Sequence, residues 1–346
     1  MIYLSSAILL FVAWIALLAF LYRAPDLSRF DHPEPELVMQ EDQVSPQHQE
    51  VLARLAAYLD PPRTMDAKEG RRRFAEVFSR EVDIRVTDVD IDGMHAEWVC
   101  DDDADPDKRL LYIHGGAFTV GSPRTHRHIT AEISRRTGLS VLAIDYRMQP
   151  EFKIVHCHDD ARKAYAWILE NGPDGPAPSE VTFVAGDSAG GNLTLAVIAW
   201  ARDQGWREIN GAIALAPLTD YTLSGPSWRF NRDSDPFLGP SIGRVLAIPA
   251  FIRNIMSRIP QGKPANHPHL SPVFGRLHDL PPTLIQVSRD EMLYSDALRY
   301  TNKALSEGSK VTLQAWPVMV HVFQGFDLPE AEQAFDLIAS FVGENS

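Results

Sequence analysis

Apolar and polar positions fall into three regimes along the chain. From Ile2 to Tyr22, "IYLSSAILLFVAWIALLAFLY" carries no charge. A helix of that length spans about 30 Å of hydrocarbon, which predicts a transmembrane anchor over residues 1–23. From Ala24, "APDLSRFDHPEPELVMQEDQVSP" is rich in proline and charge and reads as a linker, followed by helical periodicity over 45–80. From Val82 onward short β-rich runs alternate with amphipathic stretches. The runs are "VDIRVTDVDI" from Val82, "AEWVC" from Ala96, "RLLYI" from Arg109, "SVLAID" from Ser140, "VTFVA" from Val181, "AIALA" from Ala212, "TLIQVS" from Thr283 and "VTLQAW" from Val311.

Helical stretches are predicted near 124–137, 160–170, 189–203, 294–307 and 330–342. Strands alternating with helices of this length imply an α/β fold, its sheet about eight-stranded, mostly parallel and flanked by helices. The chain should therefore comprise an anchor over 1–23, a linker and cap helices over 24–80, and one large domain over 81–346. Within that domain, 218–270 is too long for a loop between two strands, so it should join the N-terminal helices as a helical cap.

Charge narrows the function classes. With a formal net charge of −13 and no Lys/Arg-rich run, the chain lacks the footprint of a nucleic-acid binder. Its two cysteines are too few for a disulfide framework and lack zinc-finger spacing. A cleaved signal peptide is the alternative for residues 2–22. Against it stand the length of the apolar run, no basic n-region, and no small-x-small site before Arg23. Arg23 and Arg29 follow the run while no Lys or Arg precedes it, so the positive-inside rule places the body in the cytoplasm, a periplasmic or extracytoplasmic body being the alternative.

"VTFVAGDSAGGNLTLAVIAWA" runs from a strand through Gly186-Asp187-Ser188-Ala189-Gly190 into an apolar helix. Glycines two residues either side of Ser188 let it sit on a sharp strand-to-helix turn, exposed above the sheet edge. A serine hydroxyl becomes a nucleophile only when a base takes its proton and a carboxylate orients that base. Asp290 follows "TLIQVS" and His321 follows "VTLQAW", which supplies the order serine, acid, histidine. Glu291 and Asp296 are rivals to Asp290, and the position of Asp290, first after the strand, favours it. Asp187 suits a structural hydrogen-bonding role. "HGGAF" at His114 follows the third predicted strand, where backbone N–H groups of Gly115, Gly116 and Ala117 could join that of Ala189 as an oxyanion hole.

"HCHDD", His156 to Asp160, together with His126 and His128, has the residue types of a metal site. Asp160 at a helix start is explained by capping, so no metal is assigned.

Taken together, "HGGAF", "YRMQPE" at Tyr146, "GDSAGG" at Gly186, "SRDEMLYSD" at Ser288 and "HVFQGF" at His321 resemble the hormone-sensitive-lipase-like (family IV) branch of the α/β-hydrolases, the bacterial esterase and lipase type. The resemblance covers about 82–343. It implies Ser188, Asp290 and His321 as catalytic residues, the N–H groups of Gly116, Ala117 and Ala189 as oxyanion donors, and His114 as a brace. It also implies short to medium acyl esters or lactones as substrates and no cofactor. Where this family often has "YRLAPEHPFPAA", the chain has "YRMQPEFKIVHCH", so the chemistry around Met148, Gln149 and Lys153 is less transferable. The expected activity is a serine carboxylesterase acting on a small hydrophobic ester. Acyl transfer or lactone hydrolysis with the same machinery, and a non-catalytic small-molecule receptor, are the alternatives. Oligomeric state is not legible.

Overall fold

The computed structural model describes residues 13–18, 20, 23–59 and 66–346. Eight strands form one sheet: β1 Arg85–Ile91, β2 Met94–Cys100, β3 Asp105–Ile113, β4 Leu139–Ile144, β5 Val181–Asp187, β6 Gly211–Leu215, β7 Thr283–Ser288 and β8 Val311–Trp316. Their spatial order is β1-β2-β4-β3-β5-β6-β7-β8. Only β2 pairs antiparallel, with β1 and β4, and the remaining pairs are parallel. The chain leaves β3 toward β4 on one side and resumes with β5 on the other. Ligands bind at such a reversal, beyond the carboxyl ends of the strands, and here those ends carry His114 and Ser188.

Helices cover both faces because both faces are apolar. Along β3, Leu110 and Tyr112 point to one side and Leu111 and Ile113 to the other, as the two-residue period requires. The first pair packs with Ile129 and Ile133 of α3 (Arg127–Thr137) and with Phe335 of α9 (Pro329–Glu344). The second packs with Tyr165 of α4 (Ile154–Ile168), Leu193 of α5 (Ala189–Gln204) and Tyr300 of α8 (Tyr294–Ser306). Leu111 is fully buried. Truncating a side chain so placed to alanine costs about 2–5 kcal/mol in lost contact and residual cavity.

α2 (Ala67–Phe78) and the excursion 218–270, which holds α6 (Gly239–Leu246) and α7 (Ala250–Gln261), contribute side chains around Ser188 at the carboxyl end of β5, while α1 (Gln47–Leu59) buries Val51 and Leu55 in the core cluster that contains Leu110. Asp296 and Asn192 are among the side chains that fix that excursion to the body. The Asp296 carboxylate accepts from the backbone N–H of Thr219 (2.8 Å) and Asp220 (2.7 Å) and from Trp228 Nε1 (2.9 Å). Asn192 Nδ2 donates to Leu218 O (2.7 Å) and Leu270 O (2.9 Å), gathering both legs of the excursion at α5. Burial and the nearby Asp220 carboxylate push the Asp296 carboxyl up to about 8. Its role is thus to anchor the excursion, and it does not approach His321 as an orienting acid.

Three expectations change. The transmembrane helix expected over Ile2–Tyr22, and the membrane localisation resting on it, are corrected: no helix among the described residues is long and apolar enough to cross a membrane. Most of that stretch lies outside the described residues. The segment 24–45 does not hang free as a linker. Leu27 and Phe30 are buried, Asp31 pairs with Arg299 at 2.6 Å, and Val38 N donates to Ala315 O at 2.8 Å beside β8. Finally, α4 begins at Ile154, so Asp160 lies inside it and binds Arg147 (2.8 Å) where a cap had been expected.

Candidate active site

Ser188 stands at the turn between β5 and α5 with φ 52° and ψ −114°, a conformation that a non-glycine residue holds only under compulsion. The compulsion is packing: a β-carbon on Gly190 would overlap Ile113 O, and one on Gly186 would lie 2.5 Å from the same oxygen. Three backbone segments therefore meet beneath the serine. Its N–H donates to Leu215 O (2.7 Å), which ties the turn to β6.

His321 Nε2 lies 2.9 Å from Ser188 Oγ, and His321 Nδ1 lies 3.0 Å from Glu291 Oε1. Ser188 and His321 are thus brought together as the sequence suggested, but Asp290 is not the residue facing the histidine. Its Oδ2 accepts from Val318 N at 2.7 Å, on the solvent side of the loop. Glu291, 1% exposed, turns inward, and its other oxygen accepts from Ser288 N at 3.2 Å. Being first after the strand does not decide which carboxylate points inward. The path of the loop does, and the longer glutamate side chain spans the remaining distance. Burial pushes the Glu291 carboxyl up, outweighing the opposite pull of His321. Burial would lower His321, yet the Glu291 carboxylate and its hydrogen bond hold it above the ordinary histidine value. Val318 and Val322, at φ 62° and 52°, show that the histidine loop is strained on both sides.

The loop after β3 carries the other half of the site. Gly116 has φ 113°, and a β-carbon there would overlap Val120 O, so only glycine fits. Ala117 adopts φ 53°, a left-handed conformation that alanine tolerates at some cost. Among the described residues the N–H groups of Gly116, Ala117 and Ala189 have no hydrogen-bond acceptor. Gly115 differs from the expectation for it: its N–H donates to Asp187 Oδ1 at 2.9 Å and is therefore occupied.

Asp187 accepts as well from Tyr112 Oη (2.7 Å) and faces His126 Nε2 at 3.5 Å. Burial opposes its ionisation, but the His126 charge and these hydrogen bonds keep it below the usual carboxylate range. His114 stacks on Tyr146, ring centroids 4.3 Å apart, and its Nδ1 meets Gly115 O at 2.7 Å. Burial, then the neighbouring His126, lowers it to about 3, so it braces the loop as a neutral ring.

A cavity of about 310 Å³ opens onto Ser188 and His321. Its walls include Phe74 and Phe78 of α2, Phe237 and Ile242 of the excursion, and Phe326 beyond β8. The helix carrying the two phenylalanines is bolted to the glycine loop by Arg71. That guanidinium donates to Thr119 O (2.8 Å) and Gln149 O (2.7 Å) and pairs with Glu151 (2.6 Å). Sequence reading missed Arg71, since an arginine in "GRRRF" looks like an ordinary solvated face.

The histidines weighed as metal ligands are dispersed. His126 faces Asp187, His128 lines the cavity 3.8 Å from Asp327, and His158 lies against His269. Among the described residues one group, Asp88, His95 and Glu97, has ligand atoms within 4.8 Å of one another. Both Glu97 oxygens there already take Arg127, at 2.7 and 2.8 Å.

A family model described as "alpha/beta hydrolase fold" matches residues 110–325. An acetyl-hydrolase of Streptomyces hygroscopicus is 35% identical over 249 residues, 71% of this chain and 79% of its own. An esterase of Acinetobacter venetianus is 31% identical over 271 residues, 78% of this chain and 85% of its own. Among solved structures, an esterase/lipase from an uncultured bacterium has a TM-score of 0.76 at 35% identity, covering 87% of this chain and 99% of its own. An esterase from the bacterial hormone-sensitive lipase family has a TM-score of 0.77 at 31% identity, covering 89% of this chain and 99% of its own.

Proposed function

Given that the chain belongs to the hormone-sensitive-lipase-like branch of the α/β-hydrolases and is a carboxylic ester hydrolase, we propose that it works through an acyl-enzyme on Ser188. The observation that carries this reading is the continuous relay from Ser188 Oγ through His321 to Glu291, at 2.9 and 3.0 Å. His321 Nε2 takes the hydroxyl proton as Oγ attacks the ester carbonyl. Glu291 holds the tautomer with Nδ1–H and stabilises the imidazolium that forms. The carbonyl oxygen becomes an oxyanion held by the free N–H groups of Gly116, Ala117 and Ala189, each such donor being worth about 10²–10³ in rate. The tetrahedral intermediate collapses, His321 gives its proton to the departing alkoxide, and the alcohol leaves. Water then attacks the acyl group by the same route, releasing the acid and restoring Ser188.

The small aromatic cavity supports an uncharged substrate with a short acyl or alcohol group, and the acetyl-hydrolase relative supports the same range. The test is to label the purified protein with a fluorophosphonate and to assay p-nitrophenyl esters by chain length. The reading predicts one label on Ser188, none in Ser188→Ala, and fastest turnover on short chains. A folded protein that hydrolyses these esters without labelling at Ser188 would refute it.

A further inference from the structure

Away from the cavity, α4 and the return leg of the 218–270 excursion bring five basic side chains together. His158 and Arg162, one turn apart on α4, face Lys263, His267 and His269. The His158–His269 ring centroids are 6.1 Å apart and those of His267–His269 4.8 Å. His158 forms the floor: it is 1% exposed, and neither ring nitrogen has a hydrogen-bond partner among the described residues. Arg162, Lys263, His267 and His269 form the walls and are only partly covered.

Hydrogen-bond accounting shows what this cluster lacks. Arg162 Nε is buried without a partner, its Nη2 reaches His269 Nε2 only at 3.5 Å, and its ion pair with the exposed Asp159 is stretched to 3.8 Å. Lys263 Nζ meets His267 Nε2 at 3.4 Å. His267 Nδ1 already accepts from His269 N at 3.1 Å. A neutral imidazole has one lone pair, so His267 Nε2 must then carry hydrogen, and it points at an ammonium that also carries only hydrogen. Lys263 and His267 therefore present donor to donor, Arg162 Nε has no acceptor, and the one acceptor that Arg162 Nη2 reaches, His269 Nε2, is at the limit of hydrogen-bond distance. A divalent cation would supply no acceptor and would be repelled by Arg162 and Lys263. A ligand rich in lone pairs and negative charge matches both deficits.

We propose that this cluster is a binding site for a small tetrahedral oxyanion of the phosphate or sulfate class, held by Arg162 and Lys263 with His158 at its base. A cluster of five basic side chains whose one ion pair among the described residues is the stretched contact to Asp159 stands out in a chain of net charge −13. Its position gives occupancy a consequence. Gln261 Oε1 accepts from Ile154 N (2.9 Å) just before the cluster, and Leu270 O accepts from Asn192 Nδ2 (2.9 Å) just after it. A bound anion would pin the return leg to α4 and, through Asn192, to the helix that follows Ser188.

A free ion and a phosphate monoester on a larger molecule present the same oxygens. The test titrates the full chain with inorganic phosphate, and separately with phosphatidylcholine vesicles containing phosphatidic acid, at constant ionic strength balanced with chloride. Melting temperature reads the first arm and co-sedimentation the second. A saturable rise in melting temperature with phosphate is expected, its half-saturation concentration raised at least tenfold in Lys263→Ala and the rise abolished in Arg162→Ala. Vesicle binding that Lys263→Ala and inorganic phosphate both abolish would also support the site and assign the monoester as its source. Lys263→Ala loses little packing, so folding does not confound it, and retained ester hydrolysis confirms an intact active site. No saturable response in either arm, responses unchanged in both variants, or tight zinc binding that phosphate does not displace would overturn the proposal.

Discussion

Two buried histidine–carboxylate pairs flank Ser188. His321 and Glu291 meet at 3.0 Å, His126 and Asp187 at 3.5 Å, and in both the carboxylate raises the histidine against the effect of burial. They differ in what lies beyond the pair. His321 has its second nitrogen on Ser188 Oγ, so its proton can enter the reaction. His126 has its second nitrogen against Ser122 O (3.2 Å) and Thr125 Oγ1 (2.8 Å), while Asp187 holds the N–H of Gly115. In the proposed mechanism the first pair moves a proton, while the second holds backbone. Residue type and burial are alike, so role follows from the third contact.

Replacing each pair should break the comparison in its own way. His321→Ala removes the base and should lower kcat on a p-nitrophenyl ester by about 10⁶-fold without unfolding the protein. Asp187→Asn keeps the shape but weakens the hold on Gly115 and His126. The loop would then drift from the oxyanion, and kcat should fall about 10²-fold, the loss of roughly one donor. If Asp187→Asn instead left kcat intact and moved only the pH optimum, the second pair would be a proton carrier and the distinction would fail. Arg71→Ala, one step further out, should cost on the order of tenfold in kcat, about one charge-assisted hydrogen bond. Arg71→Lys should recover part of that, because it keeps a donor near Thr119 O or Gln149 O. An Arg71→Ala effect confined to thermal stability would mean that the bolt holds the fold and not the loop.

Much of the frame was legible in the sequence. The continuous apolar run of "RLLYI" and the β-rich runs after it mark the strands, and glycines around Ser188 mark a turn that packing makes obligatory. What escaped depended on direction. Asp290 and Glu291 are adjacent and chemically alike, and only the loop's path sends one to solvent and the other to His321. Gly115 was grouped with its neighbours as a donor because nothing local shows that Asp187, seventy-two positions later, takes its N–H. The uncharged run at 2–22 suggested a membrane span by apolarity alone, and no helix among the described residues is long and apolar enough to cross a membrane.

The central claim is that Glu291, and not Asp290, orients His321. Its most direct test is the pH profile of kcat/KM for Glu291→Gln beside Asp290→Asn. His321 must be neutral to act as base, and Glu291 raises it, so the acidic limb of the wild type should lie above the ordinary histidine value. Removing that charge leaves burial as the main influence on His321. Glu291→Gln should therefore lower kcat about 10⁴-fold and shift the limb to lower pH, whereas Asp290→Asn should leave both unchanged. A large loss and a shifted limb in Asp290→Asn, with Glu291→Gln near wild type, would contradict the account.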